Sequence, residues 1–112
     1  MATLQEKMLG QARENSTNAV SIYSPAVNVT AIIKSVVVCN QTGTAATFRI
    51  FLDADGTTYD QSTALFYDTD IGANVTTTID SFWAMTDVAG NLAYRSGTAN
   101  ALTITVFGAE IT

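Results

Sequence analysis

The chain has 112 residues, of which 47% are hydrophobic and 13% charged, with a net charge of −5 and no histidine. That length gives one domain able to bury a core without a disulfide or metal, and the single cysteine, Cys39, excludes an intramolecular disulfide. Charge is sparse against the roughly one-quarter or more of a well-solvated surface, so part of the exterior is expected to meet other protein.

Residues 1–18 differ from the rest. Leu4, Met8, Leu9 and Ala12 fall near helical spacing, Thr3 with Glu6 fits a capping box, and Gly10 interrupts the pattern. The expectation is an N-terminal arm, extended or partly helical, that gains structure where it docks, with Met1, Leu4, Met8 and Leu9 as its contact residues. Residues 19–112 are expected to form the β-sandwich domain.

Strand signals then recur about every ten residues. Residues 19–23 alternate in polarity, and Pro25 ends them. Residues 29–39 are long enough to bend or carry a bulge, and they stop at Asn40-Gln41-Thr42-Gly43. Further strands are expected over residues 47–52, 64–68, 75–79, 82–85 and 88–95, with the clearest alternation over residues 101–107. Seven or eight short strands without intervening helical patterns specify an all-β fold, an antiparallel sandwich or jelly roll.

Chemistry-bearing patterns are few. Asp53-Ala54-Asp55-Gly56 resembles the opening of a calcium loop, with Asp60 as a third oxygen donor, but no glutamate closes it and Asp-Gly is itself a turn signal. Asp68 and Asp70 could share a face as an acid pair, yet nothing supplies a cleft, which argues against a hydrolase. Cys39 has no histidine to activate it. The expectation is therefore a protein without catalytic residues, metal or cofactor. Seven aspartates and no basic residue between Arg49 and Arg95 argue against a nucleic-acid partner. No apolar run is long enough to cross a bilayer, and the N-terminal residues lack a signal-peptide layout, so a cytoplasmic site of synthesis is expected.

Adjacent or oddly spaced aromatics are informative. Phe48 and Phe51, Phe66 and Tyr67, and Phe82 and Trp83 cannot both face inward on regular strands. One of each pair is expected outward or under another chain, with Tyr67 and Trp83 the expected exposed members. A second reading takes Trp83 and Tyr94 as sugar-stacking platforms of a carbohydrate- or receptor-binding module.

The stretches Val36-Val37-Val38-Cys39-Asn40-Gln41-Thr42 and Ala46-Thr47-Phe48-Arg49-Ile50, with Ile71-Gly72-Ala73-Asn74 and the ending Phe107-Gly108-Ala109-Glu110-Ile111-Thr112, resemble small virion proteins of tailed bacteriophages over residues 19–112. The resemblance implies a non-enzymatic β-sandwich cement or decoration protein. Such a protein sits on the capsid exterior, bridges major capsid protein subunits and forms trimers.

Overall fold

The computed structural model describes residues 3–112, and among them there is no helix. Eight strands are present: β1 Leu4–Arg13, β2 Val20–Tyr23, β3 Thr30–Asn40, β4 Ala46–Asp53, β5 Ala64–Ile71, β6 Thr76–Met85, β7 Asn91–Ser96 and β8 Leu102–Ile111. They form two four-stranded antiparallel sheets, ordered β1-β8-β3-β6 and β2-β7-β4-β5. Only β4 and β5 are joined within one sheet; every other connection crosses between sheets, which is the doubly wound Greek-key course of a jelly roll.

The alternation read from the sequence builds the core. Ile33, Val36, Val38, Leu102, Ile104 and Val106 from the first sheet meet Phe48, Ile50, Leu92 and Tyr94 from the second, all buried. Ile33 and Val36 both face inward although three apart, because the β3 register shifts between Ile33 and Ser35. The bulge expected for this long strand is therefore at Lys34.

Two clusters close the sides of the sandwich. Between β5 and β6, Phe66 lies 6.0 Å from Phe48 and 6.4 Å from Trp83, in tilted contacts. On the opposite side, the Tyr23 hydroxyl donates to a Glu110 oxygen at 2.6 Å, and Lys7 Nζ lies 2.6 Å from the other.

Residues 4–13 are not helical: they form β1, an edge strand paired with β8 from Leu4↔Ile111 to Arg13↔Thr103. The unpaired edge of β8 offers a ladder that no isolated turn of helix could match. Gly10, which interrupts the helical pattern, is where β1 passes β2. A Cβ there would stand 2.7 Å from the Ile22 carbonyl oxygen. Met1 lies outside the described residues.

Asn40 is fully buried and ties the β3–β4 and β5–β6 connections together. Its Nδ2 donates to the carbonyls of Thr44 (2.9 Å), Gly72 (3.1 Å) and Ile71 (3.3 Å). Its Oδ1 accepts from the Thr42 amide at 3.0 Å and the Thr42 hydroxyl at 2.7 Å. The polar stop at the end of the valine run is thus a fully satisfied buried amide.

Candidate functional site

Two surfaces carry features beyond those of an ordinary strand exterior. The first is the outer face of the β1-β8-β3-β6 sheet. Met8 stands opposite Phe107 in the β1–β8 ladder, and Leu4 lies on the same side of β1 as Met8. All three are exposed, and Phe82 on β6 is the most exposed aromatic at 74%. Glu6 on β1 reaches across β8 to Lys34 on β3 at 2.9 Å. Glu6, Lys7, Met8, Lys34, Phe107 and Gly108 surround a shallow hollow of about 450 Å³. Toward its other end the face turns to threonine, with Thr103, Thr105, Thr76 and Thr78 on the strands that flank Val37 and Cys39. Cys39 is half-buried on this exterior, not in the core.

Leu4 and Met8 lie together on this face, whereas Leu9 and Trp83 turn toward the core. Leu9 lies at the register shift between Met8 and Gly10 and packs against the core. Trp83 pairs with Ile33, an inward residue, so its indole turns inward onto Phe66 and it is Phe82 that faces solvent. The expected exposure of Trp83 is thus reversed. Phe107 was missed, although its place on the threonine face of β8, out of phase with Leu102, Ile104 and Val106, is a sequence signal for an exposed aromatic.

The second surface is the outer face of the other sheet, around a bulge in β5. Phe48 pairs with Thr69 and Ile50 with Phe66, leaving Tyr67 and Asp68 together opposite Arg49. Asp68 takes a left-handed backbone, φ 50°, unlike any other residue within a described strand. The bulge directs Tyr67 and Asp68 to the same guanidinium. Arg49 Cζ lies 3.8 Å from the Tyr67 ring centroid, and Nε and Nη2 donate to Asp68 at 2.6 and 3.0 Å. Arg49 also stands directly opposite Arg95 of β7, and Asp68, 3.9 Å from Arg95, offsets that like-charge pairing. The Arg49 bonds hold the Asp68 carboxyl below the usual carboxylate range.

Beside this cluster the β4–β5 connection folds back over β4. Tyr59 lies 6.3 Å from Phe51, an outward-facing ring that is nonetheless buried. Phe51 is therefore covered by its own loop. Asp53 accepts the amides of Thr58 (2.8 Å) and Asp55 (3.2 Å), and Asp60 accepts the Ser62 hydroxyl at 2.5 Å and the Ser62 amide at 2.8 Å. These bonds lower both carboxyls' proton affinity and commit both Asp53 oxygens and one Asp60 oxygen to the loop. Among the described residues no three acidic, cysteine or histidine groups converge as metal ligands. Asp70 stands opposite Thr47, exposed. Tyr94 is buried in the core, so neither it nor Trp83 offers a face to a sugar.

These features define an eight-stranded jelly roll with an exposed apolar patch on one outer face and a polar, aromatic cluster on the other. No protein-family model and no curated protein matches the sequence. Among solved structures the fold is similar to a chain in the structure of infectious bursal disease virus, Gx strain, with a TM-score of 0.52 at 8% identity. That match covers 99% of this chain and 31% of the other, so this chain spans less than a third of the viral protein's length. A Tobacco streak virus coat protein dimer aligns with a TM-score of 0.47 at 8% identity, over 99% of this chain and 84% of that one.

Proposed function

We propose that this chain is a non-enzymatic virion structural protein of the cement type, which associates into trimers and docks on the exterior of a capsid, bridging major capsid protein subunits. The observation that carries this reading is the row of exposed apolar side chains, Leu4, Met8, Phe107 and Phe82, on one sheet face of a chain with only 13% charged residues. The likeness of the whole chain to part of a virus protein supports the class by fold analogy. The acidic β4–β5 connection, with Asp53, Asp55 and Asp60, suits the side turned to solvent. Met8 and Leu4 act from an edge strand, so residues 4–13 contribute contacts while paired to β8.

The test is light scattering of the purified chain over a wide concentration range, with sedimentation alongside shells assembled from the major capsid protein of the same genome. A trimer mass and co-sedimentation that Phe82→Ser and Met8→Ser weaken are expected. A monomer that leaves the shells in the supernatant overturns the reading.

A further inference from the structure

We propose that the hollow between the β5 bulge and the β4–β5 connection is a binding site for a neutral saccharide. It lies on the second sheet, away from the apolar face, and goes beyond the virion reading without depending on it.

The hollow has a volume of about 530 Å³ and is lined by Arg49, Tyr59, Asp60, Gln61, Ser62 and Tyr67. That size lies within the usual range for small-ligand sites. Its chemistry is specific in kind. Two tyrosine rings give apolar faces for the C–H surface of a pyranose, and Arg49, Gln61, Ser62 and Asp60 give donors and acceptors at the rim. Among the lining side chains the charges of Arg49 and Asp60 cancel. A phosphate or carboxylate ligand would meet the Asp60 carboxylate and the charge of Asp53 within reach of it, whereas a polyol needs no net charge.

The site is built before any ligand arrives. Asp68 holds a backbone conformation that few residues other than glycine adopt, and the result is Arg49 fixed between the Tyr67 ring and a two-point carboxylate pair. The connection is held on its other side. Thr63 Oγ1 donates to the Thr58 carbonyl at 2.8 Å, the Leu52 amide to the Thr63 carbonyl at 2.9 Å, and Asn91 Nδ2 to the Gly56 carbonyl at 2.8 Å. Neither Tyr67 nor Arg49 needs to rearrange to meet a sugar, so little ordering cost opposes binding.

The experiment is a screen of the full chain on a printed array of bacterial and animal oligosaccharides, followed by titration of the best-bound saccharide into ¹⁵N-labelled protein. Expected are binding above background and amide shifts confined to Arg49, residues 58–63 and residues 66–68. Tyr67→Ala and Gln61→Ala should each weaken the titration by about tenfold, while Tyr67→Phe should keep it. Gln61 is exposed on the connection, so its variant reads binding even where Tyr67→Ala disturbs folding. No saccharide bound above background overturns the proposal. So do shifts centred on Met8 and Phe107, or an undiminished titration in Gln61→Ala and Tyr67→Ala.

Discussion

The Tyr23 hydroxyl, on the second sheet, donates to the Glu110 carboxylate, on the first, at 2.6 Å, and so ties the two sheets at one side of the sandwich. The Lys7 bond and then the Tyr23 bond hold the Glu110 carboxyl below its ordinary value, while burial and the Glu110 bond push the Tyr23 phenol up. A lowered carboxyl contributes stability that is present above its unfolded value and is lost as pH falls through the folded one. A raised phenol contributes stability present below about pH 10 and lost as pH rises beyond it. The midpoint of urea unfolding should therefore fall on both flanks, below about pH 4 and above about pH 10. Tyr23→Phe should flatten the alkaline flank. An alkaline fall of wild-type size in that variant would assign the effect to another group.

Asn40 should be among the most sensitive polar positions. Replacing it by Ala leaves the Thr44, Ile71 and Gly72 carbonyls and the Thr42 amide without their common partner in a buried site. The expected loss is about 2–4 kcal/mol by chemical denaturation, from several unmade bonds of about 1 kcal/mol each. Asn40→Asp keeps the acceptor but loses both donor hydrogens, so it should not rescue stability. A loss below about 0.5 kcal/mol in either variant would contradict the pinning role.

Tyr94→Phe should behave oppositely. The Tyr94 oxygen is buried and has no hydrogen-bond partner among the described residues, so the hydroxyl contributes a desolvation cost without a bond to offset it. Burial also raises its proton affinity. The variant should unfold at an equal or higher temperature, by up to about 1 kcal/mol in stability. A clear loss in calorimetry would mean that the oxygen is engaged in solution.

Gly108 has a packing reason that composition alone does not reveal. A Cβ on it would overlap the Ile32 carbonyl oxygen and press within 2.9 Å of the Leu9 side chain, at the centre of the first sheet. Backbone cannot yield as a flexible side chain can, so Gly108→Ala should cost about 1–3 kcal/mol or more and lower the yield of folded protein. Wild-type stability in that variant would contradict the close approach of β8 to β3.

The sandwich was legible because period-two alternation survives in β3, β4 and β8, where Val36, Val38, Phe48, Ile50, Ile104 and Val106 enter the core as the pattern requires. It failed where a register shift alters that period. In β1 the shift between Met8 and Gly10 turns Leu9 and Ala12 inward while Leu4 and Met8 stay out, and the resulting three- and four-residue spacings imitate a helix. The saccharide hollow was not legible for a similar reason. Only the bulge at Tyr67 and Asp68 brings both to Arg49, and only the return of the loop places Tyr59 beside them.

Phe82 and Trp83 separate folding from association. The sequence splits this region at Asp80-Ser81, yet β6 runs unbroken over Thr76–Met85, and period two carried from Ile79 points Trp83 and Met85 inward and Phe82 outward. Trp83→Ala should remove the ring that Phe66 leans on and cost about 3 kcal/mol, near the low end for a large aromatic because the indole is only partly buried. Phe82→Ser removes no core contact, so its unfolding free energy should match wild type to within about 0.5 kcal/mol while self-association or shell binding weakens. Calorimetry and light scattering on the same two preparations read both quantities. If Phe82→Ser lowered stability as much as Trp83→Ala, the face assignment of β6 would be wrong. If it left stability and association both unchanged, the apolar face would lose its most exposed candidate contact.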